Sequence, residues 1–148
     1  MCTNPIVPSH LKGIAVGYSM APWISPGDTL SIEKVLFADL WIGDIVVFYQ
    51  KKTFISHRVI LKRAHTLLLK GDNEAHFDPV LGRQAIVGRV CIVEGQYGRI
   101  KLCTAKVRVI AVYFILYSLL IYLLPFKNFT RNRYPGKRFL LRLLANRS

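Results

Sequence analysis

Acidic residues are scarce in this chain. Eight Asp and Glu stand against 21 Lys and Arg, a formal net charge of +13. None of the acidic residues lies beyond Glu94. Residues 1–106 carry 13 basic and 8 acidic side chains, whereas residues 107–148 carry 8 basic and no acidic ones. The excess charge therefore sits mainly in a C-terminal tail, of a kind that suits an anionic membrane surface or nucleic acid. Cysteine is also scarce. Cys2, Cys91 and Cys103 are odd in number and lack metal-ligand spacing, so neither a disulfide framework nor a metal site is expected. Cys91 and Cys103 are read as separate buried thiols, unless their two strands prove adjacent. No apolar run precedes Ser9, so no signal peptide or N-terminal anchor is expected, and Cys2 lacks the hydrophobic segment of a lipoprotein. Internal repeats and low-complexity segments are absent.

What is present is apolar surface. Hydrophobic residues make up 52% of the 148, enough for one domain with a packed core. Short β-rich runs follow one another: Leu11–Val16, Thr29–Val35, Ile45–Tyr49, Ile55–Leu61, Thr66–Leu69, Ile86–Val93 and Gly98–Leu102. Turn chemistry separates them at Ser25-Pro26-Gly27-Asp28, Ile42-Gly43-Asp44 and Lys70-Gly71-Asp72-Asn73, and residues 74–83 read as a loop. The pattern predicts a mainly β domain over 1–106, a barrel or sandwich.

The character then changes. Val109 to Phe126 is 18 residues without a charge. As a helix it would be about 27 Å long, close to the ~30 Å thickness of a bilayer's hydrocarbon core. A hydrophobic, transmembrane or membrane-associated helix is expected over 107–126, followed by a basic tail over 127–148. Lys127, Arg131, Arg133, Lys137, Arg138 and Arg142 flank the apolar stretch on its C-terminal side, against Arg99, Lys101, Lys106 and Arg108 before it, which favours a cytoplasmic C-terminus.

One serine is placed for chemistry. Ser19 stands in Gly17-Tyr18-Ser19-Met20-Ala21-Pro22, where an apolar strand breaks into a turn. Gly17 is read as serving a backbone conformation or close approach that a side chain would block. A serine hydroxyl needs a base to become a nucleophile. Of the four histidines, His57 is the candidate, because it lies inside an apolar strand. A third group should orient its imidazole, and Asp72 and Asp78 both follow in a turn-rich stretch.

These residues fall into boxes. Gly17–Pro22, Gly43–Phe48, Ser56–Ile60, Lys70–Asn73 and Val87–Val90 resemble, in order and spacing, the boxes of type I signal peptidases. The likeness covers about residues 12–95. Bacterial members place a lysine base on the strand where this chain has His57-Arg58-Val59, so the chain is similar to the endoplasmic-reticulum and archaeal variety. The resemblance implies a signal-peptidase-like β fold and a Ser/His/Asp endopeptidase without cofactor, cleaving signal or leader peptides after small residues. By position, Ser19 matches the nucleophile, His57 the general base and Asp78 the third group. Asp72 matches a supporting aspartate. Gly17, Met20 and Ser56 match the oxyanion and substrate pocket. The chain departs from the family in three ways: it shows no N-terminal anchor, Tyr18 stands where a small residue is usual, and Gly17 offers no hydroxyl to an oxyanion.

The resemblance implies a preprotein or leader-peptide substrate and a lipid membrane as partners, with the catalytic domain extracytoplasmic. Nucleic acid is not the expected partner. Two other readings stay open. One is a leader peptidase dedicated to a single peptide or secreted product. The other is a catalytically silent, basic membrane or nucleic-acid binding module on the same fold.

Overall fold

A computed structural model describes residues 10–123. The order of elements is β1 (His10–Ile14), β2 (Thr29–Glu33), β3 (Ile45–Gln50), β4 (Thr53–Lys62), β5 (Thr66–Lys70), β6 (Leu81–Gly82), β7 (Ile86–Gly95), β8 (Gly98–Lys101) and α1 (Ala105–Leu123), with 3-10 turns at Phe37–Asp39 and Arg83–Ala85. The mainly β expectation holds. All strands join one antiparallel sheet in the order β1-β2-β7-β3-β4-β5-β6, with β8 also on β7. The hydrogen-bonded path through the described residues is thus a single open sheet, not a closed barrel or two separate sheets.

β7 organises this sheet. Its first half pairs with β3, its last half with β8, and β2 runs along its other edge. The apolar run Ile45-Val46-Val47-Phe48 makes β3 a strand buried on both faces. Ile45 and Val47 join a cluster with Met20, Trp23, Ile24, Leu30, Ile32, Val90, Val93, Ile100, Leu102 and Val107. Val46 and Phe48 join another with Leu40, Val59, Leu67, Leu69 and Leu81. Side chains alternate along a strand, so the two clusters lie on opposite faces of the sheet at β3. Full burial of one such side chain stabilises the fold by about 1.5–3 kcal/mol.

One polar cluster locks the sheet. The Asp44 carboxylate accepts the Trp41 N–H at 2.9 Å and faces Arg89 Nη1 at 3.4 Å and Arg108 Nε at 3.8 Å, tying the β3 turn to β7 and α1. Beside it, Gly43 has φ +96°, a left-handed conformation that favours glycine, and a Cβ there would stand 3.2 Å from Ala111 Cβ.

α1 starts earlier than the apolar stretch suggested. The Thr104 hydroxyl accepts the Val107 N–H at 3.4 Å, which sets the first turn and adds Ala105 and Lys106 to the expected helix. Val107, Ala111 and Ile115 are buried at four-residue spacing, so one stripe of the helix lies on the sheet. Val109, Val112, Tyr113 and Leu116 are exposed. No helix among the described residues is long and apolar enough to cross a membrane. The end of the expected apolar span, 124–126, and the basic tail, 127–148, lie outside the described residues.

Candidate active site

The site forms where three segments meet: the turn after β1, strand β4, and the loop after β5. His57 lies in β4 opposite Val46 and is 7% exposed. Its ring lies 5.8 Å from the Phe48 ring, tilted by 59°. The loop after β5 folds back over it. The Asp78 N–H donates to the Leu69 carbonyl at 2.9 Å, and this anchor presents the Asp78 carboxylate to His57 Nδ1 at 2.6 Å. A carboxylate only accepts, so it holds the proton of a neutral imidazole on Nδ1 and leaves the Nε2 lone pair for another partner. Nε2 is buried and has no hydrogen-bond partner in the structure.

Ser19 arrives from the other side. Its carbonyl accepts the Asn73 N–H at 2.7 Å, and the Asn73 side-chain amide donates to the Tyr18 carbonyl at 3.2 Å. Gly71 fills the space between. A Cβ on Gly71 would stand 2.9 Å from the Ser19 carbonyl oxygen, 3.0 Å from His57 Nε2 and 2.7 Å from Glu74 Cγ. The Ser19 backbone and the bare imidazole nitrogen thus flank one glycine. No hydrogen bond joins Ser19 Oγ to Nε2 in this structure. Such contacts commonly close only when substrate binds.

The two aspartates separate cleanly. Asp72 is turned away from His57 and receives Arg58. Arg58 Nε lies 2.8 Å from Oδ1 and 3.2 Å from Oδ2, and Nη2 lies 2.6 Å from Oδ2. Arg58 Nη1 donates to the Gly43 carbonyl at 2.7 Å, and the guanidinium lies 5.4 Å from the centroid of the Trp23 ring. With Arg58 1% and Asp72 8% exposed, this is a buried ion pair that fastens β4 to the loop. Neighbouring Lys70 is buried too, its ammonium donating to the Gly71 carbonyl at 3.2 Å. Burial pulls its pKa below the ordinary lysine value, and the charges of Asp72, Glu74 and Asp78 offset part of that.

Other expected site residues are placed differently. Gly17 is exposed, with open space where a Cβ would stand and no positive φ, so nothing local requires glycine there. The close approach expected of Gly17 belongs to Gly71. Met20 is 2% exposed in the core and presents almost no surface to a ligand. Ser56 adjoins His57 in sequence, but the two project from opposite faces of β4. Ser56 pairs with Val47, on the face of the Met20 cluster, whereas His57 pairs with Val46, on the other. Ser56 and Met20 thus share a side of the sheet that His57 does not. Gly71 and Asn73 were legible only as a turn, although the Lys70–Asn73 box that contains them was the signal.

Searches against models of known protein families and against curated proteins matched nothing.

Proposed function

We propose that this chain is a membrane-associated serine endopeptidase of the signal-peptidase kind, which removes signal or leader peptides after small residues. One observation carries the reading: a buried imidazole with Nδ1 on Asp78 and a bare Nε2 facing the Ser19 segment across Gly71. His57 Nε2 takes the hydroxyl proton as Ser19 Oγ attacks the peptide carbonyl, and Asp78 stabilises the imidazolium that forms. The backbone N–H of Ser19 receives the oxyanion. His57 then protonates the leaving amine. Water, deprotonated by the same nitrogen, releases the acyl group from Ser19.

The membrane belongs to this reading through the apolar run to Phe126 and the basic residues beyond it. An enzyme tethered beside a tethered substrate works at raised effective concentration. With the β domain extracytoplasmic, the basic tail faces anionic lipid on the cytoplasmic side. A narrower substrate range, a dedicated leader, is favoured by Tyr18. It is 69% exposed beside the nucleophile, where a bulky ring restricts what fits.

The test uses the full chain in detergent and a peptide bearing an export signal that ends in small-x-small. Wild type should cleave after the second small residue. Ser19→Ala and His57→Ala should not, while keeping the wild-type circular dichroism. Equal cleavage by wild type and Ser19→Ala would sink the assignment.

A further inference from the structure

The described thiols are not separate. Cys91 Sγ and Cys103 Sγ lie 2.8 Å apart, although 12 residues separate them in the chain, and both are reduced and only partly buried. Two features of the fold bring them together. Cys91 is the extra residue of a β-bulge: Ser31 pairs with Ile92 and Ile32 with Val90, so Cys91 has no partner on β2. A bulge re-aims a side chain out of the strand's alternation. Cys103 follows β8, where the Leu102 N–H donates to the Cys91 carbonyl at 2.7 Å and fixes the chain against β7.

The surroundings are those of a reactive pair. Cys91 Sγ lies 3.0 Å from Glu33 Oε2, and Arg89 Nη2 donates to the same carboxylate oxygen at 3.1 Å. Hydrogen bonding to Cys103, burial and the Glu33 carboxylate all push the Cys91 thiol far up. The Cys103 thiol is pulled down, first by its hydrogen bond with Cys91 and then by the positive charge of Arg89, against burial. The first thiolate therefore forms on Cys103, and Cys91 keeps its proton.

We propose that Cys91 and Cys103 form a thiol pair that closes to a disulfide by exchange with a disulfide oxidant, making a covalent latch between β7 and the start of α1. In the exchange, the Cys103 thiolate attacks one sulfur of the oxidant, and the oxidant's other sulfur leaves as a thiolate. Cys91 then loses its proton toward the Glu33 carboxylate and attacks Cys103 Sγ, expelling the oxidant's remaining sulfur. Two electrons and two protons pass from the pair to the oxidant, whose disulfide ends as two thiols. The sulfurs need close by less than 1 Å to reach the bonded distance of about 2.0 Å. Arg89 beside the cluster favours a thiolate and opposes a bound cation, which separates this reading from a metal site built on Glu33, Cys91 and Cys103. Cys103 is two residues before α1, so the bond joins the helix start to the strand that organises the sheet.

The experiment treats the reduced full chain with glutathione disulfide, quenches in acid, alkylates the remaining thiols and digests with trypsin. The expected product links peptide Val90–Arg99 to peptide Leu102–Lys106, two hydrogen masses below their sum, with Cys2 alkylated. The oxidised chain should melt several degrees higher than the reduced one, a gain that Cys103→Ser removes. In Cys103→Ser, Cys91 should be alkylated several-fold more slowly than Cys103 is in Cys91→Ser. The proposal is overturned if both thiols stay alkylatable under conditions that oxidise dithiothreitol. A glutathione adduct that persists on Cys103, or zinc bound one-to-one that protects both thiols and needs Glu33, would overturn it too.

Discussion

Asp72→Ala should come close to unfolding this protein while leaving the His57–Asp78 pair chemically intact. The guanidinium of Arg58 is out of water, with its side chain 2% exposed. It loses three contacts to the Asp72 carboxylate, between 2.6 and 3.2 Å, and keeps only the Gly43 carbonyl and the face of Trp23. Leaving a buried charge without its partner costs about 3–5 kcal/mol. The Trp23 face contributes about 2 kcal/mol, but it does so in the wild type as well and so does not offset the loss. Against a total stability of about 5–15 kcal/mol, the loss is a large fraction. Urea unfolding followed by Trp fluorescence should show a much lower midpoint with an unchanged slope. The double variant Arg58→Met, Asp72→Leu removes both charges and keeps the volume, so it should recover most of the loss. An Asp72→Ala unfolding free energy within about 1 kcal/mol of wild type, the range of an exposed pair, would refute the reasoning. So would a double variant as unstable as the single one.

Asp78→Asn should do the reverse, with near wild-type melting but kcat on a leader peptide lowered about 10³- to 10⁴-fold, because the amide no longer fixes the Nδ1–H tautomer. Gly71→Ala places a methyl between the Ser19 carbonyl and His57 Nε2, and a shift of about 1 Å there should cost about 100-fold in kcat, measured on the same peptide. Lys70 gives a pH signature. Its folded pKa lies below the unfolded one, so between the two the unfolded chain binds more protons and stability rises with pH, up to the ordinary lysine range. Chemical unfolding at stepped alkaline pH should show that rise in the wild type and a flatter profile in Lys70→Met. Equal slopes would remove Lys70 as the cause.

The strands were legible because each carries its own pattern: β3 is apolar throughout, β2 alternates, and turn residues bound both. β6 was read as loop because two residues, Leu81 and Gly82, carry no period, and it exists only by pairing with β5. α1 starts two residues before the expected 107, because Lys106 looks like a flank. Only the fold shows Arg108 facing Asp44 and lying 5.7 Å from the centroid of the Trp41 ring. At the site, sequence distance misled in both directions. Ser56 is next to His57 in the chain but faces the other way, whereas Asp78, 21 residues on, is its hydrogen-bond partner. Nothing local distinguished Asp78 from Asp72. The choice was made by Arg58, a residue beside His57 whose charge needed one of the two carboxylates.

The Asn73 clamp on Tyr18 and Ser19 has an implication for how the site fails. The short segment that bears Gly71 and Asn73 also ends in Asp78, so the Ser19 backbone and the carboxylate on His57 hang on one piece of chain. A fluctuation that lifts this segment releases serine and imidazole together. Partly assembled states, with an oriented base and a wandering serine, are therefore rare. The population with Ser19, His57 and Asp78 assembled should follow a single opening equilibrium, readable as matched hydrogen-exchange protection at the Asn73 and Asp78 amides.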